Sequence, residues 1–194
     1  MAITAEAVKE LRDRTGLSVM QCKKALEEAK GDLNKALDIL SRKSADVARK
    51  KGDRALGAGA VASYIHGNHQ VGAMVLLSCE TDFVSKNEAF ISLARDIAMH
   101  AAATRPEHIR QSDVSQSALE KLREIFAPEA SGKPANIQEK VIDGKVSARL
   151  KETVLLLQPF IKDDSKTIQD LIDAASHKFG ERIEVSKCAY FSVK

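Results

Sequence analysis

His66 and His69, with Cys79 further along, are the nearest approach this chain makes to a set of metal ligands. A zinc site needs three or four converging ligands, and histidines in a turn are ordinarily solvated polar residues, so neither a metal nor a cofactor is expected. Cys22 would be a nucleophile only beside a base or a cation. It falls instead on an apolar helical stripe, where an inert, buried thiol is the expectation. No GxxxxGK[ST] phosphate loop, GxGxxG fingerprint or GxSxG elbow occurs in the sequence, so the chain reads as no enzyme, with no catalytic residue. The segment Cys79-Glu80-Thr81-Asp82-Phe83-Val84-Ser85-Lys86-Asn87 is different. It sets a carboxylate beside an aromatic ring between an expected strand and an expected helix, where no periodicity assigns the ring to a core. Phe83 is either a plug in that core, the commoner fate of a phenylalanine, or an exposed wedge. As a wedge the ring would enter an apolar cleft of a partner while Asp82 disturbs a cation or phosphate site.

Composition bounds the partners. The 194 residues suit one ordinary domain with a small companion. Lys and Arg total 30 against 27 Asp and Glu. A net charge of +3 is a near-balance, not the excess that phosphate-tracking proteins carry, so direct nucleic-acid binding is not expected. Apolar residues are 44%, aromatics only 4% and Trp is absent, so the core must be built from Ala, Val, Ile and Leu, which favours helices. Three widely spaced cysteines, Cys22, Cys79 and Cys188, without CxxC spacing, argue against a disulfide framework and for a reducing cytoplasm. Met1-Ala2-Ile3-Thr4 runs straight into an amphipathic pattern, so no signal peptide is expected. No apolar run approaches the roughly 20 residues that span a bilayer, and no membrane association is expected.

The elements that must position the Asp82-Phe83 pair are clearly punctuated. Thr4 is expected to cap a helix through Leu11, with Ile3 at staple spacing to Val8, and Gly16 to end it. Ser18 and Gln21 form a capping box for a second helix carrying Cys22, Ala25, Leu26 and Ala29, which Gly31 stops. Asp32 caps a third, where Leu33, Ala36, Leu37 and Leu40 recur on one face. Three short helices joined by tight turns make a bundle of the ubiquitin-associated kind. Residues 42–58 are basic (Arg42, Lys43, Arg49, Lys50, Lys51, Arg54) and poor in bulky apolar side chains, the pattern of a solvated linker helix. Ala60 to Ile65 and Val71 to Leu77 then read as a hairpin turning at His66-Gly67-Asn68-His69. Ser85 and Glu88 are expected to cap a helix carrying Phe90, Leu93, Ala94, Ile97, Ala98 and Ala101. Helices follow over 118–126 and 137–150, separated by Pro128 and by Ser131-Gly132-Lys133-Pro134. An extended run over Val154 to Leu157, a helix capped by Ser165 with Ile168, Leu171, Ile172 and Ala175, and a strand from Arg182 to Val193 complete the chain. The fold class is α+β: a three-helix bundle, then a core with a small antiparallel sheet covered by helices. The expected division is a helical domain at 1–41, a basic linker at 42–58, and an α+β core and dimerisation domain at 59–194.

Cys79-Glu80-Thr81-Asp82-Phe83-Val84 resembles the signature of the elongation factor Ts family. Leu11-Arg12-Asp13-Arg14-Thr15-Gly16 followed by Met20-Gln21-Cys22-Lys23-Lys24-Ala25-Leu26 does so too. Ser63-Tyr64-Ile65-His66-Gly67 with Gly72, Ile97-Ala98-Met99-His100, Gly132-Lys133-Pro134 and Gln158-Pro159-Phe160 are similar to further stretches of that family. The resemblance implies a ubiquitin-associated-like domain, a linker and an α+β core. It also implies a role as exchange factor for the GDP-bound GTPase elongation factor Tu. Thr81, Asp82, Phe83 and Val84 would act near the partner's magnesium site, Arg12 and Met20 would contact its GTPase domain, and His66 would touch a second region. Leu17-Ser18-Val19 departs from the family pattern. Longer members carry a doubled core where this sequence shows one, which implies a homodimer, and the terminal strand from Ile183 through Cys188 to Val193 offers an edge for it. Two other readings stand beside this one: a ubiquitin-type adaptor, which leaves Asp82-Phe83 unused, and a ribosome- or RNA-binding factor using Lys50 and Lys51.

Overall fold

In the computed structural model, which describes residues 3–132 and 134–193, side-chain oxygens start each of the first three helices. Met1, Ala2, Lys194 and the lysine of Gly132-Lys133-Pro134 lie outside the described residues. Helix α1 (Ala5–Thr15) begins at Thr4, whose Oγ1 accepts from the Ala7 amide at 3.2 Å, and ends at Gly16 with φ 67°. Helix α2 (Val19–Glu28) opens on the complete Ser18–Gln21 capping box. Helix α3 (Leu33–Lys50) opens on Asp32, which accepts from the amides of Asn34 and Lys35 at 3.0 and 3.1 Å. Their apolar stripes close over Leu11, Leu17, Cys22, Ala25, Leu26, Ala36 and Leu40. Helix α1 ends at Gly16 as expected, and α3 runs without a break into the stretch expected as a basic linker helix. Nothing in residues 41–50 breaks a helix, and Ser44 is buried on the continuing face.

Internal contacts divide the chain into two units. One holds Met1–Ala62, Leu76–Ala94 and Asp170–Ser186, the other Ser63–Val75, Arg95–Gln169 and Lys187–Lys194. The central sheet has the order β1-β2-β5, from β1 (Ala58–Ile65), β2 (Val71–Cys79) and β5 (Ile183–Ser192), and each of these strands contributes residues to both units. The β1–β2 hairpin closes where expected, with the His66 amide bonded to the Val71 carbonyl at 2.8 Å. His69 takes the left-handed conformation, φ 57°, that a tight turn imposes. This is the α+β class expected, with a small antiparallel sheet and helices.

After β2 come α4 (Asp82–Ser85) and α5 (Glu88–Thr104), and α8 (Ile168–Phe179) precedes β5; the first unit holds α4, α5 as far as Ala94, and α8 from Asp170. Phe90 of α5 meets Phe179 of α8 edge to face, 6.3 Å between centroids. His177 of α8 joins two helices of the bundle. Its Nε2 accepts from Gln21 Nε2 at 2.7 Å and its Nδ1 donates to Ser44 Oγ at 2.9 Å, while the Ser44 hydroxyl donates in turn to the Leu40 carbonyl. Because Gln21 Oε1 already accepts from Ser18, its amide group must donate, and the imidazole is held neutral as the Nδ1–H tautomer.

The second unit contains the antiparallel pair α6 (Gln116–Ala130) and α7 (Ala135–Thr153), closed over Val114, Val146, Leu150 and Val154. Arg123–Asp143 and Lys145–Glu129 ion pairs link the two helices. Helix α6 continues past Pro128, contrary to expectation. Near a helix end a proline forfeits one ladder bond, and the fully buried Ala130 anchors the last turn. The run Val154 to Leu157 is extended only at Val154, which bridges His108. Leu155 to Leu157 form a 3₁₀ turn whose first two amides bond to the carbonyls of His108 and Ile109. Ser165 does not cap α8. It sits in β4 (Asp163–Thr167), paired with β3 (Pro159–Phe160), and bonds to Asp163. The fully buried His100 donates through Nε2 to Gln158 Oε1 at 2.9 Å and accepts the Ile161 amide at Nδ1.

Burial holds His100 below the ordinary imidazole range, and burial with the charges of Lys51 and Lys43 does the same for His177. Both are bases whose neutral form the fold prefers. Their contribution to stability is therefore present above the unfolded value of about 6.5 and is lost as pH falls from there towards the folded values. The urea midpoint is expected to drop between pH 7.5 and 5.5, and to drop less in His177→Gln. An equal drop in both proteins would contradict the role given to His177.

Candidate functional site

The chain leaves β2 at Cys79 and makes one helical turn, α4, before α5 begins. Ser85 belongs to that turn, its Oγ bonded to the Asp82 carbonyl at 3.2 Å, so it does not cap α5 as expected. Asn87 does, its Oδ1 accepting from the Ala89 amide at 2.9 Å. The turn is held from inside by Val84, which is buried at 7% exposure. Behind it the Cys79 thiol points at the Thr81 carbonyl, 3.2 Å away, and burial pushes that thiol up to about 11, a structural and unreactive cysteine. Phe83 faces outward with 86% of its surface exposed. Of the two fates open to this ring in the sequence, core plug or wedge, the structure excludes the plug. Asp82 is also exposed. Lys86, one turn on at 2.7 Å, holds its carboxyl below the ordinary range by hydrogen bond and charge, so it is ionised.

Thr81, at the mouth of α4, makes no side-chain cap. Its hydroxyl donates instead to Glu181, whose carboxylate also accepts the backbone amides of Glu80 and Thr81. These partners lie about a hundred residues apart in the chain, and no periodicity or motif marks Glu181. The only local hint is Gly180, with φ 72°, which turns the chain out of α8 just before it.

The remaining candidate residues stand at other places on the chain. Arg12 lines a shallow depression of about 350 Å³ on the bundle together with Ile3, Val8, Val19 and Lys23. Next to Val19, Met20 is 63% exposed. His66 lies in the second unit at the end of β1, exposed, with Nδ1 3.3 Å from the Tyr64 hydroxyl. Among the described residues no group of three His, Cys, Asp or Glu side chains is arranged to hold a metal ion. No described helix is long and apolar enough to cross a membrane.

A helical bundle, a small antiparallel sheet with helices, and an aromatic ring presented on a braced turn define an α+β protein. The family model for elongation factor TS matches residues 46–194. The elongation factor Ts of Thermodesulfovibrio yellowstonii is 48% identical over 194 residues, covering 100% of this chain and 97% of that protein. That of Carboxydothermus hydrogenoformans is 47% identical over 193 residues, with 98% and 89% covered. That of Thermosipho melanesiensis is 46% identical over 193 residues, with 98% of each covered. The chain belongs to the elongation factor Ts family.

Proposed function

We propose that this chain is the guanine-nucleotide exchange factor for elongation factor Tu in translation elongation. It binds the GDP-bound GTPase, displaces its magnesium ion and releases GDP so that GTP can bind. It is not an enzyme, since it makes and breaks no covalent bond. Phe83 carries this reading: a fully presented aromatic ring on a turn fixed by the buried Val84, with the ionised Asp82 beside it. The ring enters an apolar cleft near the nucleotide site, and the Asp82 carboxylate competes for the surroundings of the metal. Thr81 and Val84 hold these two in place. Arg12 and Met20 dock the bundle, residues 1–41, on the GTPase domain. The linker at 42–58 joins this domain to the core at 59–194, and His66 touches a second region of the partner.

An exchange factor needs only surface complementary to one state of its partner. A GTPase that holds GDP at roughly nanomolar Kd, with an on-rate near 10⁶ to 10⁷ per molar per second, releases it at about 10⁻³ to 10⁻² per second. Accelerating release about 10⁴-fold lowers the barrier by roughly 5.5 kcal/mol. A buried aromatic anchor combined with lost magnesium contacts is of that order. Linkage makes the displacement mutual, because GDP must weaken the factor's binding by the factor by which the factor weakens GDP. The affinity of the chain for nucleotide-free elongation factor Tu is therefore expected to fall steeply when GDP and magnesium are added. Equal affinity with and without GDP would contradict exchange.

A further inference from the structure

Glu181 follows Gly180 at the exit of α8 and precedes β5, in a segment that the reading above leaves without a task. Its Oε2 accepts the amides of Glu80 and Thr81 at 3.1 and 3.0 Å, and its Oε1 accepts the Thr81 hydroxyl. The bonding is reciprocal: the Glu80 carboxylate accepts the amide of Arg182, the residue after Glu181. Against the desolvation that acts on it, the Arg182 amide at 2.5 Å and the Arg54 guanidinium, 3.2 and 3.3 Å from the two carboxylate oxygens, hold Glu80 in its charged form. The Arg182 guanidinium ties the clasp further, donating to the Arg54 carbonyl and to Glu184 at 2.6 and 2.7 Å. Each of the two strand ends is thus gripped by a carboxylate from the other.

The object held is small. Helix α4 has four residues and no side-chain cap, and a single helical turn has no stability of its own. Val84 anchors it from within, and at its start the Cys79 thiol, a weak donor, reaches only the Thr81 carbonyl. The Glu181 clasp supplies the second anchor, on the two residues immediately before Asp82. With both in place, the backbone that carries the Phe83 ring keeps one direction.

We propose that Glu181 is the positioning residue for the Asp82-Phe83 wedge, fixing the backbone at Glu80 and Thr81 so that the ring meets the GTPase already oriented. This rests on the reading of Phe83 as the wedge. A ring oriented in advance loses less freedom when it enters a cleft, and that gain belongs to the step in which the nucleotide site opens. Glu181 therefore acts on the maximal rate of GDP release, whereas initial docking, carried by the bundle, is insensitive to it.

The test is stopped-flow release of fluorescent GDP from elongation factor Tu at increasing concentrations of the full chain, for Glu181→Ala, Glu181→Gln, Thr81→Val, Phe83→Ala and Glu181→Ala/Phe83→Ala. Glu181→Ala is expected to lower the maximal rate about fivefold or more with the half-saturating concentration changed less than about twofold. It should also speed hydrogen exchange at the Thr81 amide. Glutamine keeps an oxygen for the amides and an NH₂ for the Thr81 hydroxyl, so Glu181→Gln should recover most of the rate. Thr81→Val, which removes one bond and fills the same space, should show a smaller loss and reports on the clasp if the alanine variant is poorly folded. The double variant should be no slower than Phe83→Ala alone, because a positioning residue has nothing left to position. A Glu181→Ala protein that melts earlier but retains the full rate per folded molecule overturns the proposal, as does a double variant whose losses add. If Phe83→Ala itself leaves the rate unchanged, it is the wedge reading that fails.

Discussion

Phe83→Ala is expected to slow the maximal release of GDP from elongation factor Tu at least tenfold while leaving the melting temperature essentially unchanged. The two halves of this expectation come from one number, the 86% exposure of the ring. A side chain that far outside the fold makes few contacts to lose, and surface substitutions of this kind ordinarily stay within about 0.5 kcal/mol. On a partner the same ring buries roughly 150–250 Å², worth about 4–6 kcal/mol at 25 cal/mol per Å². A tenfold effect needs only about 1.4 kcal/mol of that to be realised in the step that opens the nucleotide site. Melting curves and stopped-flow traces on the same preparation check it. A variant with full exchange per folded molecule would contradict the wedge.

The second large effect concerns association. In the second unit Ile65, Met74, Phe191 and Val193 are all exposed and line a depression of about 410 Å³ at the end of the hairpin and of β5. Four large apolar side chains gathered on one sheet face are more than scattered surface residues, and β5 stands at one end of the strand order β1-β2-β5. We expect the chain to form a homodimer through this strand and face, which would bring the two Cys188 side chains towards the two-fold axis. Light scattering at micromolar concentration should give twice the chain mass of 21.1 kDa, and Phe191→Glu should return it to the single-chain value without unfolding. A single-chain mass for the unaltered protein would rule the dimer out.

How much of this could be read from the sequence depended on how local the cause was. Thr4, Ser18, Gln21, Asp32 and Gly16 act within one turn of the backbone they satisfy, and each does in the structure what its type and spacing imply. The hairpin at His66 to His69 was legible for the same reason. Ser85 and Ser165 misled because a serine has two local uses: each bonds within its own turn or strand, and neither begins the helix that follows. Pro128 misled because its cost depends on where the helix end lies, and buried Ala130 sets that end from outside the local sequence. At the candidate site the types of Asp82 and Phe83 were visible, but the exposure of the ring was not. It is decided by Val84 taking the inward position and by Glu181 gripping the backbone from across the chain. No window of sequence contains both partners of that grip.

The most direct test of the central claim is the dissociation of fluorescent GDP from purified elongation factor Tu in the presence of magnesium, with and without this chain. Catalytic amounts of the chain should raise the release rate by about three to four orders of magnitude, saturating with factor concentration. A rate that stays at the unassisted value at every concentration of the chain would contradict the account.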